Sequence, residues 1–147
     1  MNTDMLRENL IQKRDVLLQL RQLADLQSAL VSGGDSRKLL GLLATKEKLL
    51  KALKKVEASM DPFRDEDPEE RVWRSTADRQ AAREIAEECN RLLTEIMEID
   101  RSDEGKLIAR RDVNAEARRR VRNTKVAITA YSQPSPHHTG NLDLSAD

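Results

Sequence analysis

Apolar residues recur along this chain at spacings of three and four, the period at which an α-helix returns to one face. Leu6, Leu10, Leu17, Leu20, Leu23, Leu30 and Val31 mark a first helix over 3–31, which Thr3 and Asp4 can start and Ser32-Gly33-Gly34 ends. The glycine pair permits a tight reversal, and Asp35 or Ser36 can accept hydrogen bonds from the free amides of the next helix. The second helix, 36–60, carries the most regular seam: Leu39, Leu42, Lys46, Leu49, Leu53, Val56 and Met60, widened by Leu40, Leu43 and Leu50. A face this broad covers more than one neighbour, so the hairpin requires a third helix. Lys46 is the one polar member of the seam. The expectation for it is a lysine that fixes register while its stem lies on apolar surface and its ammonium reaches water.

Residues 61–75, DPFRDEDPEERVWRS, combine Pro62 and Pro68 with an acidic cluster and predict a long connection whose Phe63 and Trp73 close the end of a bundle. A third helix is predicted over 76–131, with no proline before Pro134. Its pattern changes midway. Ile85, Cys89, Leu92, Ile96 and Ile99 form one stripe, which in the same register runs on into Asp103, Lys106 and Arg110. A second register, with Leu107, Asn114, Val121 and Ile128 beside Ala117, Thr124 and Tyr131, begins one residue out of phase. A break is expected near 102–106, where Gly105 costs about 1 kcal/mol relative to alanine.

At ~1.5 Å per residue, the first two helices and the first half of the third each span roughly 40 Å, whereas an unbroken third helix would span roughly 84 Å. Its second half then has nothing in the hairpin to cover it, and must fray, fold back, self-associate or bind a partner. The expected fold class is all-α: an antiparallel helical hairpin plus a long third helix, a three-helix bundle or coiled coil with a projecting C-terminal half-helix, in one domain over 1–131. Residues 132–147 are rich in Ser, Pro and Gly and read as a disordered tail, on which His137 and His138 lack a third metal ligand.

Composition sharpens this picture. Ala, Glu, Lys, Leu and Arg supply 74 of 147 residues, the signature of long helices, which nearly excludes a β architecture. Phe63, Trp73 and Tyr131 are the only aromatics, too few for base-stacking platforms or an aromatic-lined ligand pocket. The net charge is zero, but residues 1–56 carry +5, 57–104 carry −9 and 105–147 carry +4. A basic hairpin is thus expected to face an acidic segment, leaving the second basic segment without an internal counterpart. Cys89 stands alone, so no internal disulfide forms and a buried thiol in a reducing compartment is expected. No signal peptide opens the chain and no apolar run approaches a membrane span, so a cytoplasmic protein without membrane insertion is expected.

Catalytic motifs are absent: there is no phosphate-binding glycine loop, no H-E-x-x-H, no C-x-x-C and no G-x-S-x-G. No catalytic, cofactor or metal residue is therefore assigned, and neither an enzyme nor a small-molecule substrate is expected. Arg110, Arg111, Arg118, Arg119, Arg120, Arg122 and Lys125 could release counterions from a nucleic acid, but Asp112 and Glu116 interrupt them and no aromatic is interleaved. They are read as a solvated or partner-facing helix instead.

Residues 23–57, LADLQSALVSGGDSRKLLGLLATKEKLLKALKKVE, order a helix ending AL-x-SGxD before LLxLLxxKExLLxxL. With the long third helix and a tyrosine near its end (AITAYS), this resembles the FlgN-like family of flagellar export chaperones, which attend the hook-filament junction proteins. The resemblance implies a helical scaffold whose last helix docks the helical terminus of an export substrate, preventing premature assembly, with a C-terminal tyrosine linked to the export gate. It would place substrate binding on Leu107, Val113, Ala117, Val121 and Ile128 and the gate contact on Tyr131, while the basic residues beside the stripe, such as Arg118 and Arg122, would attract an acidic partner segment. Two alternatives stand beside it: a coiled-coil adaptor that self-associates, as a weak homodimer, and a nucleic-acid-binding helix.

Overall fold

The computed structural model describes residues 3–110 and 115–132. Its elements are α1 Thr3–Gly33, α2 Ser36–Ser59, the single turn α3 Asp61–Arg64, a 3-10 turn at Pro68–Glu70, α4 Thr76–Ala109 and α5 Ala115–Ser132. The protein is an all-α helical bundle, with no strand among the described residues. Its ends follow from local chemistry. Gly34 adopts φ +72, the left-handed conformation that stops α1, and the Asp35 carboxylate then accepts from the Lys38 amide at 3.1 Å to open α2. Pro62 lies in the first turn of α3, and the Ser75 hydroxyl accepts from the Asp78 amide at 3.1 Å to start α4.

Side-chain pairs give the helix directions. Arg7 meets Asp78, Arg14 meets Glu88 and Arg21 meets Glu95, so α1 and α4 run parallel. Lys13 meets Glu57 and Lys46 meets Gln27, so α2 runs back along α1. Arg122 reaches Glu104 while Ser132 reaches Met97, so α5 descends along α4; Arg120 on Glu47 places it beside α2. The result is an up-down-up-down bundle in the ring order α1, α2, α5, α4. That order sets α2 and α4 on a diagonal, which accounts for the long connection between them. Phe63 and Met60 are buried in the lower core and Trp73 packs against it, as expected of residues that close a bundle end. Arg71, itself buried, fixes the crossing by donating to Glu66 at 2.6 Å and to the Phe63 carbonyl at 2.8 Å.

Two expectations are corrected. No half-helix projects: α5 turns back and packs on α4 and α2, adding a fourth long helix to the bundle. The reversal does not fall at 102–106, because α4 runs through Gly105 to Ala109. The stripe of α4 does not change register there either. It continues from Ile85 through Cys89, Leu92 and Ile96 to Asp100, Asp103 and Leu107, all buried, at unbroken spacings of three and four. It looked finished because the expected stripe was carried through Ile99, which is only partly buried, into Asp103, Lys106 and Arg110, rather than through Asp100. The tail, apart from Ser132, lies outside the described residues. No helix among the described residues is long and apolar enough to cross a membrane.

Candidate functional site

The returning helix α5 faces inward with Ala117, Val121, Thr124 and Ile128, spaced four, three and four, and all four are buried. Ala117 and Val121 join Val31, Leu39, Leu43 and Leu107 in an upper apolar cluster. Ile128 joins the larger lower cluster that contains Leu53 and Ile96. Two of the four inward residues, Ala117 and Thr124, are small, so α5 lies close to its neighbours but contributes little apolar volume. Its flanks are tied by charge. Arg120 grips Glu47 with two hydrogen bonds, at 2.9 and 2.8 Å, and Arg122 (3.2 Å) and Lys125 both hold Glu104. The second basic segment thus finds counterparts on α2 and α4, correcting the expectation that it has none. Glu47 is held below the usual carboxylate range chiefly by the Arg120 hydrogen bond, and Glu104 chiefly by Lys125.

Between the two apolar clusters lies a layer of buried polar groups from three helices. Lys46 Nζ donates to Asp100 Oδ1 at 2.6 Å and to Gln27 Oε1 at 2.9 Å. Gln27 Nε2 in turn donates to Asp100 Oδ1 at 3.0 Å and to Asp103 Oδ2 at 2.8 Å, and the Ser28 hydroxyl donates to Asp103 as well. Both members of the Lys46–Asp100 pair have 0% of their side-chain surface exposed. Lys46 does not reach water, contrary to expectation; it is a buried cation neutralised inside the core. Burial lowers its pKa against the opposing pull of Asp100, and burial raises that of Asp103 against the hydrogen bonds from Gln27 and Ser28. Asp100 Oδ2 has no hydrogen-bond partner. Such a layer contributes little net stability but admits only one axial alignment of α1, α2 and α4, since any slip leaves a charge in the apolar clusters.

The sequence-assigned partner residues are gathered on this helix but turned inward. Leu107, Ala117, Val121 and Ile128 are buried in the core, Tyr131 is half-buried against the lower cluster, and Val113 lies outside the described residues. Arg122 is exposed and paired; Arg118 is partly buried, with its Nε lacking a hydrogen-bond partner. Three of the seven cations read as a cluster are committed to Glu47 and Glu104, and Arg110 donates to the carbonyls of Val31 and Ser32. The polar layer was the feature missed, although Lys46 in a leucine seam and Asp103 in register with Ile96 both signalled it. Cys89 is buried, its pKa pushed up to about 11 mainly by burial, which makes it a packing residue with an inert thiol. Among the described residues no group of three His, Cys, Asp or Glu is arranged to hold a metal.

Comparison with protein-family models, with curated proteins and with solved structures returns no match to this chain.

Proposed function

We propose that this chain is a cytoplasmic, non-enzymatic export chaperone of the FlgN-like type, which binds the helical terminus of a hook-filament junction protein and carries it to the export gate. The observation that carries this reading is that α5 is an amphipathic helix held to the bundle by one narrow stripe and a few partly exposed ion pairs. A helix of that kind can leave without dismantling α1, α2 and α4, whose alignment the Lys46–Asp100 layer fixes independently of it. Departure uncovers Ala117, Val121 and Ile128 for a partner helix. It also frees Arg120 and Arg122 to meet acidic residues of that partner. Tyr131, half-buried at the end of α5, becomes available in the same step. Gate recognition would thereby follow substrate capture rather than precede it. The alternative of a nucleic-acid groove is weakened by the commitment of Arg120, Arg122 and Lys125 to internal carboxylates.

Calorimetric titration of the full chain with purified hook-filament junction proteins tests this. The expected result is saturable binding that Val121→Asp, which sets a carboxylate on the apolar stripe offered to the partner helix, weakens at least about tenfold. Absence of heat and of any change in α5 amide protection with every junction protein would refute the export reading.

A further inference from the structure

We propose that the outer face of α2 is a docking surface for anionic lipid membranes, against which the bundle lies on its side, held by lysines and without inserting. The inference is independent of the export reading, since it requires neither a substrate nor the departure of α5. It starts from the distribution of charge along α2. Leu39, Leu43, Lys46, Leu53 and Val56 turn one side of that helix into the core. Arg37, Lys48, Lys51 and Lys55, spaced 11, 3 and 4 residues, return to the opposite side, and all four are exposed. Lys38 and Lys54 flank them, also exposed. The helix carries only two carboxylates, and both are taken: Glu47 by Arg120, Glu57 by Lys13 and Arg64. Of the six exposed cations only Lys38 has an ion-pair partner among the described residues, Asp35 at 3.9 Å. Arg119, exposed on α5, extends the patch, because it acts with Lys51 on Glu47 across the boundary between the two helices.

The chemistry of this face selects among polyanions. A protein segment docking on a helix needs apolar anchors, yet no large apolar side chain is exposed on α2, and Gly41, Thr45 and Ala52 stand between its cations. Nucleic acid is read by arginine forks and aromatic stacking, whereas five of these six cations are lysines and no aromatic lies on α2. What remains is a convex rim ~36 Å long, with lysines on flexible stems and nothing that inserts. It matches a plane of lipid phosphates, which attracts clustered lysines without demanding a fixed geometry. Other sides of the bundle are less suited. α4, diagonally across from α2, presents Glu84, Glu87 and Glu98 among Arg91, Arg101 and Lys106, and the connection from α2 to α4 exposes Asp61, Asp65, Asp67 and Glu69. An anionic plane attracts α2 without that opposition.

Co-sedimentation of the full chain with phosphatidylcholine vesicles, with and without phosphatidylglycerol as about a third of the lipid, tests this. Binding is expected on the anionic vesicles alone, and should fall at least about tenfold when salt is raised to about 0.5 M. Lys48→Gln, Lys51→Gln and Lys55→Gln together should lower the partition coefficient about a hundredfold, or about fivefold per lysine, with helicity and unfolding midpoint unchanged. Arginine at the same three positions should retain binding. Arg91→Gln, Arg101→Gln and Lys106→Gln remove the same net charge from α4, beyond a screening length from α2, and should leave binding within about twofold. Duplex DNA or RNA at the same ionic strength should not displace the chain from the vesicles. Equal binding to neutral vesicles, no binding to anionic ones, equal losses from the two glutamine triple variants, or displacement by nucleic acid would each overturn the proposal.

Discussion

Lys46 shows how a residue in an apolar pattern can be charged and still belong to the core. Its ammonium has left water entirely, and the cost of that transfer is offset by Asp100 Oδ1 and Gln27 Oε1. Lys46→Met is therefore expected to destabilise the bundle by about 3–5 kcal/mol, because it leaves Asp100 and Asp103 buried without their cation. The double replacement Lys46→Met with Asp100→Leu should recover most of that loss. Chemical denaturation of the three proteins checks both; a double variant as unstable as the single one would contradict the pairing. Lys46 itself was visible in the sequence as the odd member of a leucine seam. Its partner was not, because a charged residue in a helix stripe is read as the end of the stripe unless an opposite charge at the same level of another helix is known. That level is a tertiary quantity. Gln27 and Asp100 continue the stripes of α1 and α4 in register, yet nothing in either helix alone says that they meet Lys46.

At the scale of elements, α5 differs from α1, α2 and α4 in how it is held. Glu47 and Glu104, its two carboxylate anchors, both have depressed pKa values through hydrogen bonds from Arg120 and Lys125. A depressed native pKa means that the detached state takes up protons first, so this contribution is complete above the ordinary glutamate value of about 4.3 and is lost as pH falls below it. Asp103, whose pKa is raised by burial, works in the opposite sense: protonation relieves it, so acid does not loosen the layer at that point. Acidification should therefore release α5 before the remaining helices. Between about pH 5 and pH 3, α5 amides should lose protection faster than those of α1, and added salt at neutral pH should reproduce part of the effect because the Glu47 anchor is partly exposed. Equal loss across all helices would contradict it. The existence of α1, α2 and α4 was legible from periodicity and from Gly34, Pro62 and Ser75. The end of α4 was not, since Gly105, which looks like a stop, is tolerated inside the helix.

For the whole molecule, length matching was informative but incomplete. It singled out the C-terminal half-helix as a separate problem, but α5 does find a partner in the hairpin, α2, which length alone did not indicate. The groove that receives α5 is made by α2 and α4 on a diagonal created by the long 60–75 connection, and no local pattern reveals a diagonal. The charge blocks pointed the other way, because the carboxylates that receive the second basic segment are single residues inside other blocks: Glu47 in the basic hairpin and Glu104 at the edge of the acidic segment. Residue-resolved amide hydrogen exchange on the dilute, isolated monomer gives the most direct check that α5 is a docked but separable fourth helix. Residues 115–132 should be protected, and should open at a free energy clearly below that of α1, α2 and α4. Either an α5 with no protection, as a projecting helix would show, or one that opens only together with the whole bundle would contradict that structure.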